Sequence, residues 1–418
     1  MININKLFMQ ALKAALLNKK VKWTEEMTAD AWAALFNQAQ IHHVLPMIYE
    51  AVYACPAAKK MPPDVLRPFK RQVHQQVMVQ TIKTQAFLRL NDDLQKEGIK
   101  LLVMKGIVCR NIYPKPDYRQ SCDEDILIPA EQFKRCHEVM NGLDMYLLEP
   151  DKDIDEAYEV SYGKYQSPLY IELHKTLFSP ASDAYGDFNC YFEGVFDRVT
   201  KIEIQDSTIY TMGYTDHLFY LICHAFKHFL HSGFGIRQVC DIILFANTYG
   251  KEIDWDIVLE NCRQIRADLF AAALFQIGKK YLCFDQDKAC YSQQWREIYV
   301  DETAILEDLL DGGIYGNVNM SRRHSSNMTL SAVSAGKHGN KSGNGKGIVL
   351  SLFPPIAAMK YRYSYLEKKP YLLPAAWIQR IFKYGKETGN VFKGNTAEAI
   401  KIGARRVELL KQYGIIDK

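Results

Sequence analysis

Two aspartates, Asp123 and Asp125, stand two positions apart at the start of an apolar segment that ends at Ile128. Side chains alternate along a strand, so both carboxylates point to the same side of it. A pair spaced in this way can hold one or two hard cations, and Mg²⁺ usually lies between such carboxylates and the phosphates of a substrate. The pair therefore indicates metal-assisted phosphoryl or nucleotidyl transfer.

A third carboxylate, Glu172, interrupts the otherwise apolar segment from Leu169 to Leu173. An uncompensated charge in a buried strand is costly, so Glu172 is predicted to belong to the same metal site. His174 follows two positions later and shares the face of Glu172. We expect His174 to lie behind the metal ligands or to contact a nucleotide.

A lysine and a glycine, Lys105 and Gly106, follow directly after the apolar segment 99–104. Glycine permits a close approach of the backbone to phosphate, and lysine supplies a cation. Arg119 lies shortly before the acidic pair and is of a type that binds phosphate or carboxylate. These three residues are predicted to bind the phosphates of the substrate.

The hydrophobic pattern predicts an α+β chain in which a mixed β-sheet core is flanked by helical regions. The predicted regions are an N-terminal helical region 1–97, an α/β core 98–212, a helical domain 213–311, a flexible loop 312–348 rich in Gly, Ser, Asn and Lys, and a basic, aromatic helical region 349–418. The predicted site therefore belongs to the core, next to the helical domain.

Composition excludes several classes of function. The net charge of +4 over 418 residues is too small for broad coating of nucleic acid or of an anionic membrane. The ten cysteines include no Cys-x-x-Cys motif, and no apolar stretch reaches membrane-spanning length. The start of the chain also lacks the pattern of a signal peptide. We therefore expect a cytoplasmic protein with free thiols and no membrane partner.

Taken together, these motifs resemble the uncharacterised nucleotidyltransferase group of the DNA polymerase beta-like superfamily. The resemblance includes the Lys-Gly turn, the Asp-x-Asp pair and the apolar-Glu-apolar-His strand. It extends to a histidine-bearing helix at 218–228 and to the element Arg237-x-x-x-Asp241, and it covers roughly residues 80–280. The fold implied by this resemblance is a nucleotidyltransferase-like mixed sheet, with the nucleotide in a cleft between the sheet and the helix 215–231.

The resemblance also implies roles for individual residues. Asp123 and Asp125 would bind two Mg²⁺ or Mn²⁺ ions, and Glu172 would complete the second ion and favour deprotonation of an acceptor hydroxyl. Lys105 and Gly106 would hold the triphosphate of an NTP, with ATP the first choice. The acceptor oxygen would then attack the α-phosphate in line, and the β- and γ-phosphates would leave as pyrophosphate.

The chain departs from the superfamily at two positions. The usual Gly-Ser after the first strand is Lys105-Gly106 here, so a serine contact to phosphate is missing. Glu124 stands between the two aspartates where an apolar residue is usual. Strand alternation turns Glu124 away from the metals and towards the core, where it needs a partner of its own.

A second set of candidate ligands lies on one helix face. The set consists of His217, His224, His228 and His231, with spacings of seven, four and three. One interpretation is a zinc site with Asp241 as an added ligand. The preferred interpretation is a polar helix face that donates hydrogen bonds to the acidic strand or to the substrate, and it places His224 and His228 beside the nucleotide.

Three functions follow from these patterns. The leading one is a metal-dependent nucleotidyltransferase that moves an NMP from an NTP to a hydroxyl-type acceptor, which could be a small molecule, a protein side chain or an RNA end. The second is a catalytically inactive nucleotide-binding or partner-binding module with the same fold. The third is a metal phosphohydrolase based on the histidines.

Overall fold

The computed structural model describes residues 3–231, 233–313, 320–337, 356, 363, 365–379 and 395–417. Within them the chain has the predicted α+β architecture, with a mixed sheet between helical layers. No helix of the described ranges is long and apolar enough to cross a membrane.

Helices form the N-terminal region. They are α1 (Ile4–Leu16), α2 (Ala29–Ile41), α3 (Leu45–Val52) and α4 (Pro63–Lys96). Thr28 is the N-cap of α2, and its hydroxyl accepts a hydrogen bond from the Ala31 amide. Apolar spacing in the sequence predicts a helix from Val77 to Leu94, but α4 is much longer, and its C-terminal half packs against the core.

A five-stranded sheet forms the centre of the core, in the order β1-β2-β5-β4-β3. The strands are β1 (Leu102–Met104), β2 (Glu124–Leu127), β3 (Met145–Leu147), β4 (Glu159–Lys164) and β5 (Tyr170–His174). Strands β2 and β5 run parallel, with Asp125 opposite Glu172, whereas the other neighbours are antiparallel. The register of β2 and β5 thus brings together carboxylates that lie far apart in the sequence.

Short elements complete the core. Helix α5 (Gly106–Asn111) follows β1 at once, and α6 (Phe133–Gly142) follows β2. The sequence pattern predicts a hairpin of 201–204 with 208–212, and the structure has one, formed by β6 (Val199–Ile204) and β7 (Ser207–Met212). The hydroxyl of Thr211 on β7 donates to the Val103 carbonyl over 2.7 Å, which ties the hairpin to the sheet.

The next region is helical, as predicted. Its helices are α7 (Tyr214–Leu230), α8 (Ile236–Tyr249), α9 (Trp255–Gln264), α10 (Asp268–Tyr281), α11 (Gln293–Arg296) and α12 (Thr303–Gly312). The apolar pattern from Trp255 to about Leu282 predicts a single helix, but α9 ends at Gln264, just before Arg266, whose φ is +57°. A left-handed residue ends a helix, so the apolar pattern continues while the helix does not.

The predicted flexible loop 312–348 contains a helix, α13 (Met320–Lys337). Two further helices follow it, the short α14 (Tyr365–Lys368) and the C-terminal α15 (Asn395–Gln412). Helix α13 packs against α15. Val333 of α13 is buried. The Gly- and Ser-rich composition favours a loop, and tertiary packing stabilises the helix. The rest of the loop, 314–319 and 338–348, lies outside the described residues.

The C-terminal helix also reaches the end of α7. The guanidinium of Arg406 donates to the carbonyls of Phe229 and His231, which are among the carbonyls that a helix leaves unpaired at its C-terminus. From α13, the Thr329 hydroxyl donates to the Leu230 carbonyl over 2.6 Å. Helix α7 is therefore fixed at one end by chain from beyond residue 313.

Candidate active site

Three acidic side chains converge where β2 and β5 lie side by side. Asp125 is only 2% exposed and faces Glu172 across the parallel pair, while Asp123 stands just before β2 at the rim. The Asp125 Oδ1 atom lies 3.0 Å from Lys105 Nζ, and Asp125 Oδ2 has no hydrogen-bond partner within the described part of the chain. A buried carboxylate oxygen without a partner fits a cation ligand.

His174 lies among these carboxylates rather than behind them. Its Nε2 atom is 3.4 Å from Asp125 Oδ1 and 3.8 Å from Glu172 Oε2. One ligand atom from each of Asp125, Glu172 and His174 lies within 4.8 Å of the other two, so this group can hold a metal ion. Asp123, which the sequence placed in the metal site, lines the same cavity but is not part of that group.

The charges of the centre shift the protonation of its members. Burial raises the pKa of Glu172 to about 7, and the neighbouring Asp125 and Asp123 add to the rise. Burial also acts to raise the pKa of Asp125, but Lys105 and His174 outweigh it and hold that pKa below its usual value. A cation bound between the carboxylates would relieve their mutual repulsion.

The Lys105-Gly106 turn has an unusual backbone. Lys105 has a φ of +45° and Gly106 a φ of +27°. Residue 106 must be glycine, because a Cβ atom there would lie 2.0 Å from Glu124 Oε2. The turn directs the Lys105 side chain into the cleft, where its Nζ reaches both Asp125 and His224, the latter over 2.9 Å.

Glu124 finds its partners behind this turn. Its carboxylate forms an ion pair with Arg110 over 2.7 Å and accepts a hydrogen bond from the Ile107 amide over 2.7 Å. Ser121 adds a third contact at 3.3 Å. The departure from the superfamily pattern at Glu124 therefore has a structural explanation, because the charge is paired in the core and does not enter the cleft.

Arg119 is also paired inside the protein. Its Nε and Nη2 atoms each donate to one oxygen of Asp241 over 2.7 Å, and the Tyr113 hydroxyl donates to the same carboxylate. The Arg119 Nη1 atom lies 3.4 Å from the Gly106 carbonyl. Arg119 was expected to bind phosphate together with the Lys-Gly turn, but the structure places it behind that turn. Its ion pair occupies the Asp241 carboxylate, which is therefore not a metal ligand.

The histidines of α7 have separate contacts. His217 is buried, and its Nε2 accepts from the Lys105 amide over 3.3 Å. Its Nδ1–H donates to Thr211, since that hydroxyl already donates to a carbonyl. Burial lowers the pKa of His217 to about 3 and that of His224 and His228 well below the usual value.

The cluster does not form a zinc site among the described residues. His224 Nε2 accepts from Lys105 Nζ and lies 3.2 Å from His228 Nε2, whereas His231 Nε2 is 2.9 Å from the Tyr185 hydroxyl. No group of potential metal ligands in the described ranges includes these histidines. These contacts favour the interpretation of a polar helix face over a zinc hydrolase.

A cavity of about 420 Å³ lies between the sheet and α7, where the cleft was expected. This volume is in the usual range of small-molecule sites. Its ionisable lining consists of four acids, Asp123, Asp125, Glu159 and Glu172, and of Lys105, Lys227, His174, His224 and His228. The other lining residues are Cys122, Tyr170, Leu177 and Tyr220. Gly106 and Arg119 border a smaller adjoining cavity instead.

Sequence reasoning missed two charged residues of the cleft, Lys227 and Glu159. Lys227 follows His224 by three positions on α7, so a helical projection would have placed it on the same face. Glu159 begins β4, a strand with a weak sequence pattern. Lys83 of α4 was missed as well; its Nζ donates to the carbonyls of Ser121 and Cys122 over 2.8 and 2.7 Å and so fixes the chain before Asp123.

Comparison with known proteins gives a family match. The model of a family described as uncharacterised nucleotidyltransferase matches residues 28–282. A similar solved structure is an antigenic nucleotidyltransferase-like protein from Paracoccidioides brasiliensis, with 14% identity and a TM-score of 0.29 over 50% of this chain and 95% of that chain. No curated protein matches the chain.

Proposed function

We propose that this chain, which belongs to the uncharacterised nucleotidyltransferase family, transfers an NMP from an NTP to a hydroxyl-type acceptor and releases pyrophosphate. The observation that carries the proposal is the register of β2 and β5, which sets Asp125 opposite Glu172 in a cleft that Asp123 borders. Carboxylates in this arrangement can hold divalent cations, which stabilise the negative charge that develops on phosphate oxygens.

The donor set of the centre fits a divalent metal. Oxygen atoms of Asp125 and Glu172 are hard ligands, and the unpartnered Asp125 Oδ2 lacks any other role in the described structure. Asp123 supplies a further carboxylate at the rim. When bound, Mg²⁺ or Mn²⁺ would supply positive charge to the attacking and leaving oxygens of an in-line displacement.

Two lysines are positioned to bind the phosphates. Lys105 Nζ pairs with Asp125, and Lys227 lines the same cleft from α7. A cation at Asp125 neutralises the partner of Lys105, which leaves the ammonium group available to the triphosphate. Binding of metal and of nucleotide would therefore support one another at Lys105.

Glu172 is the residue that we assign to proton transfer. It is the most accessible of the paired strand carboxylates, with 28% of its side chain exposed. Burial and the neighbouring Asp125 and Asp123 raise the pKa of Glu172, whereas the pKa of Asp125 is lowered, so Glu172 is the more basic of the two. Glu172 would take the proton of the acceptor hydroxyl as that oxygen attacks the α-phosphate.

The test is nucleotide transfer. The native protein is incubated with Mg²⁺ or Mn²⁺, each α-labelled NTP and a cell extract as the source of acceptor, beside the folded double variant Asp123→Asn/Asp125→Asn. The variant Asp151→Asn, at an exposed position outside the cleft, is the matched control. We expect label incorporation by the native protein and the control, and at least a hundredfold loss, about 3 kcal/mol, in the double variant.

The other outcomes are equally informative. Equal incorporation by all three proteins would overturn the proposed site. No incorporation by the native protein, together with nucleotide binding in calorimetry, would favour the inactive binding module. A phosphatase activity that persists in the double variant and is lost in His224→Gln would favour the histidine-based hydrolase.

A further inference from the structure

His174 is a buried side chain that has no assigned role in the proposed reaction. It is 4% exposed, and neither of its ring nitrogens has a hydrogen-bond partner in the described part of the chain. Buried polar groups are nearly always paired in native proteins, so two unpaired nitrogens on one ring require an explanation. The Nε2 atom faces Asp125 and Glu172, the two strand carboxylates of the centre.

The other nitrogen of the ring faces a fourth carboxylate. Glu159 lies opposite His174 in the antiparallel register of β4 and β5, and its Oε2 atom is 3.5 Å from His174 Nδ1. A metal-binding histidine usually directs its second nitrogen to a carboxylate, which orients the ring and makes the ligand nitrogen more basic. The ring of His174 has this environment, with the centre on one side and Glu159 on the other.

The spacing of the atoms suits coordination. Bonds of about 2.1 Å from one ion place neighbouring ligand atoms about 3.0 to 3.4 Å apart. His174 Nε2 lies 3.4 Å from the nearer Asp125 oxygen and 3.8 Å from the Glu172 oxygen. One ligand atom from each of the three residues lies within 4.8 Å of the other two, so side-chain rotation can draw them onto one ion, and Asp125 Oδ2 is available as another ligand atom.

We propose that His174 Nε2 is a direct metal ligand, oriented through Nδ1 by Glu159, and that the resulting nitrogen–oxygen ligand set selects Mn²⁺ over Mg²⁺. Imidazole binds first-row transition ions well, whereas Mg²⁺ prefers oxygen ligands in near-ideal octahedral geometry. The inference rests on the carboxylate centre of the proposed function, and it adds a ligand and a metal preference to that centre.

The first test detects the nitrogen ligand directly. The protein is loaded with Mn²⁺ without nucleotide, and pulsed electron paramagnetic resonance records the coupling of the ion to nearby ¹⁴N nuclei. We expect an imidazole coupling in the native protein that disappears in His174→Gln. The matched control is His224→Gln, which removes another histidine of the same cavity and should keep the coupling. A native spectrum without ¹⁴N coupling would overturn the inference, as would a coupling that survives in His174→Gln.

The second test measures selectivity by calorimetry. We expect the preference for Mn²⁺ over Mg²⁺ to fall by at least about tenfold in His174→Gln. Glu159→Gln should keep the ¹⁴N coupling and weaken Mn²⁺ binding by about tenfold, because it acts only through the ring. An unchanged ratio of the two affinities in His174→Gln would contradict the proposed selectivity.

Two further outcomes cover the remaining cases. If His174→Gln does not fold, the double variant His224→Gln/His228→Gln decides, because these are the other histidines of the cavity. Retention of the coupling supports His174, and its loss overturns the inference. Nucleotide transfer without ¹⁴N coupling would refute the inference alone, and coupling without transfer by any NTP would refute the proposed function alone.

Discussion

Arg110 and Glu124 form a buried ion pair directly behind the acidic strand, with 1% and 0% of their side chains exposed. The pair lies beneath the turn that carries Lys105, and the same carboxylate also holds the first turn of α5 through the Ile107 amide. Glu124 thus fixes the distance between the Lys-Gly turn and the strand that bears Asp125. Its place in the sequence, between two cleft aspartates, does not make it part of the cleft.

Glu124→Gln is expected to lower the free energy of unfolding by about 3 to 5 kcal/mol, because it leaves the Arg110 guanidinium buried without a countercharge. Urea unfolding followed by circular dichroism measures the loss. Glu131→Gln, at an exposed position, is the control and should change stability by less than about 0.5 kcal/mol. Equal stability of the two variants would contradict the structural role given to Glu124.

Lys105→Met is expected to have opposite effects on metal binding and on transfer. Removal of the ammonium group from Asp125 should tighten Mn²⁺ binding by about tenfold, since a competing cation is lost. Transfer should fall by about a hundredfold, since a phosphate contact is lost. Calorimetry and the labelled-NTP assay separate the two effects, with the exposed Lys251→Met as control. Weaker metal binding in Lys105→Met would refute the competition.

Arg119→Met is expected to destabilise the protein by about 3 kcal/mol or more, because the buried Asp241 carboxylate, which also accepts from the Tyr113 hydroxyl, loses its countercharge. The double variant Arg119→Met/Asp241→Leu should recover most of the lost stability, because it also removes the buried carboxylate that Arg119→Met leaves without a countercharge. Thermal unfolding of the native protein and of the two variants measures the loss of stability and its recovery. If Arg119→Met instead raises the KM for the NTP at unchanged stability, the arginine binds phosphate as the sequence first suggested.

His42 is expected to make the protein sensitive to mild acid. Burial lowers its pKa to about 4 from 6.5 in the unfolded chain, and its ring lies against Phe8 and the Leu310 carbonyl. The unfolded chain therefore binds the proton first, and the contribution of His42 to stability, about 3 kcal/mol at most, is present above pH 6.5 and is lost as the pH falls towards 4.

The measurement is the free energy of unfolding between pH 4 and 7 for the native protein and for His42→Gln. The variant should be less stable at pH 7, but it should lose less stability on acidification. Other buried histidines titrate in both proteins and cancel in the difference. Parallel pH profiles for the two proteins would show that His42 does not carry this effect.

The carboxylate centre was largely predictable from the sequence, because it depends on local rules. Alternation along a strand places Asp123 and Asp125 on one side, and the cost of a charge in an apolar strand marks Glu172. The mixed sheet, its hairpin and the flanking helices follow from the same periodicities. The cleft between the sheet and α7 is where the resemblance to the family placed it.

Tertiary partners were not predictable in the same way. The sequence shows that Arg119 carries a positive charge, but it does not show whether the guanidinium pairs with a phosphate or with Asp241. The register that places Glu159 opposite His174 depends on how β4 pairs with β5, which a weak strand pattern does not define. Helix α13 was missed because composition alone favoured a loop, whereas the helix packs against α15 and α7.

The contact of Arg406 with the end of α7 bears on where the protein can be shortened. The family match ends at residue 282, yet the helix that forms one wall of the cleft is held by Arg406 and Thr329 from further along the chain. A fragment that stops at residue 282 would expose the last carbonyls of α7 and the apolar surface under α13. The shortest fragment with a native cleft therefore extends through α15, well past the part that defines the family.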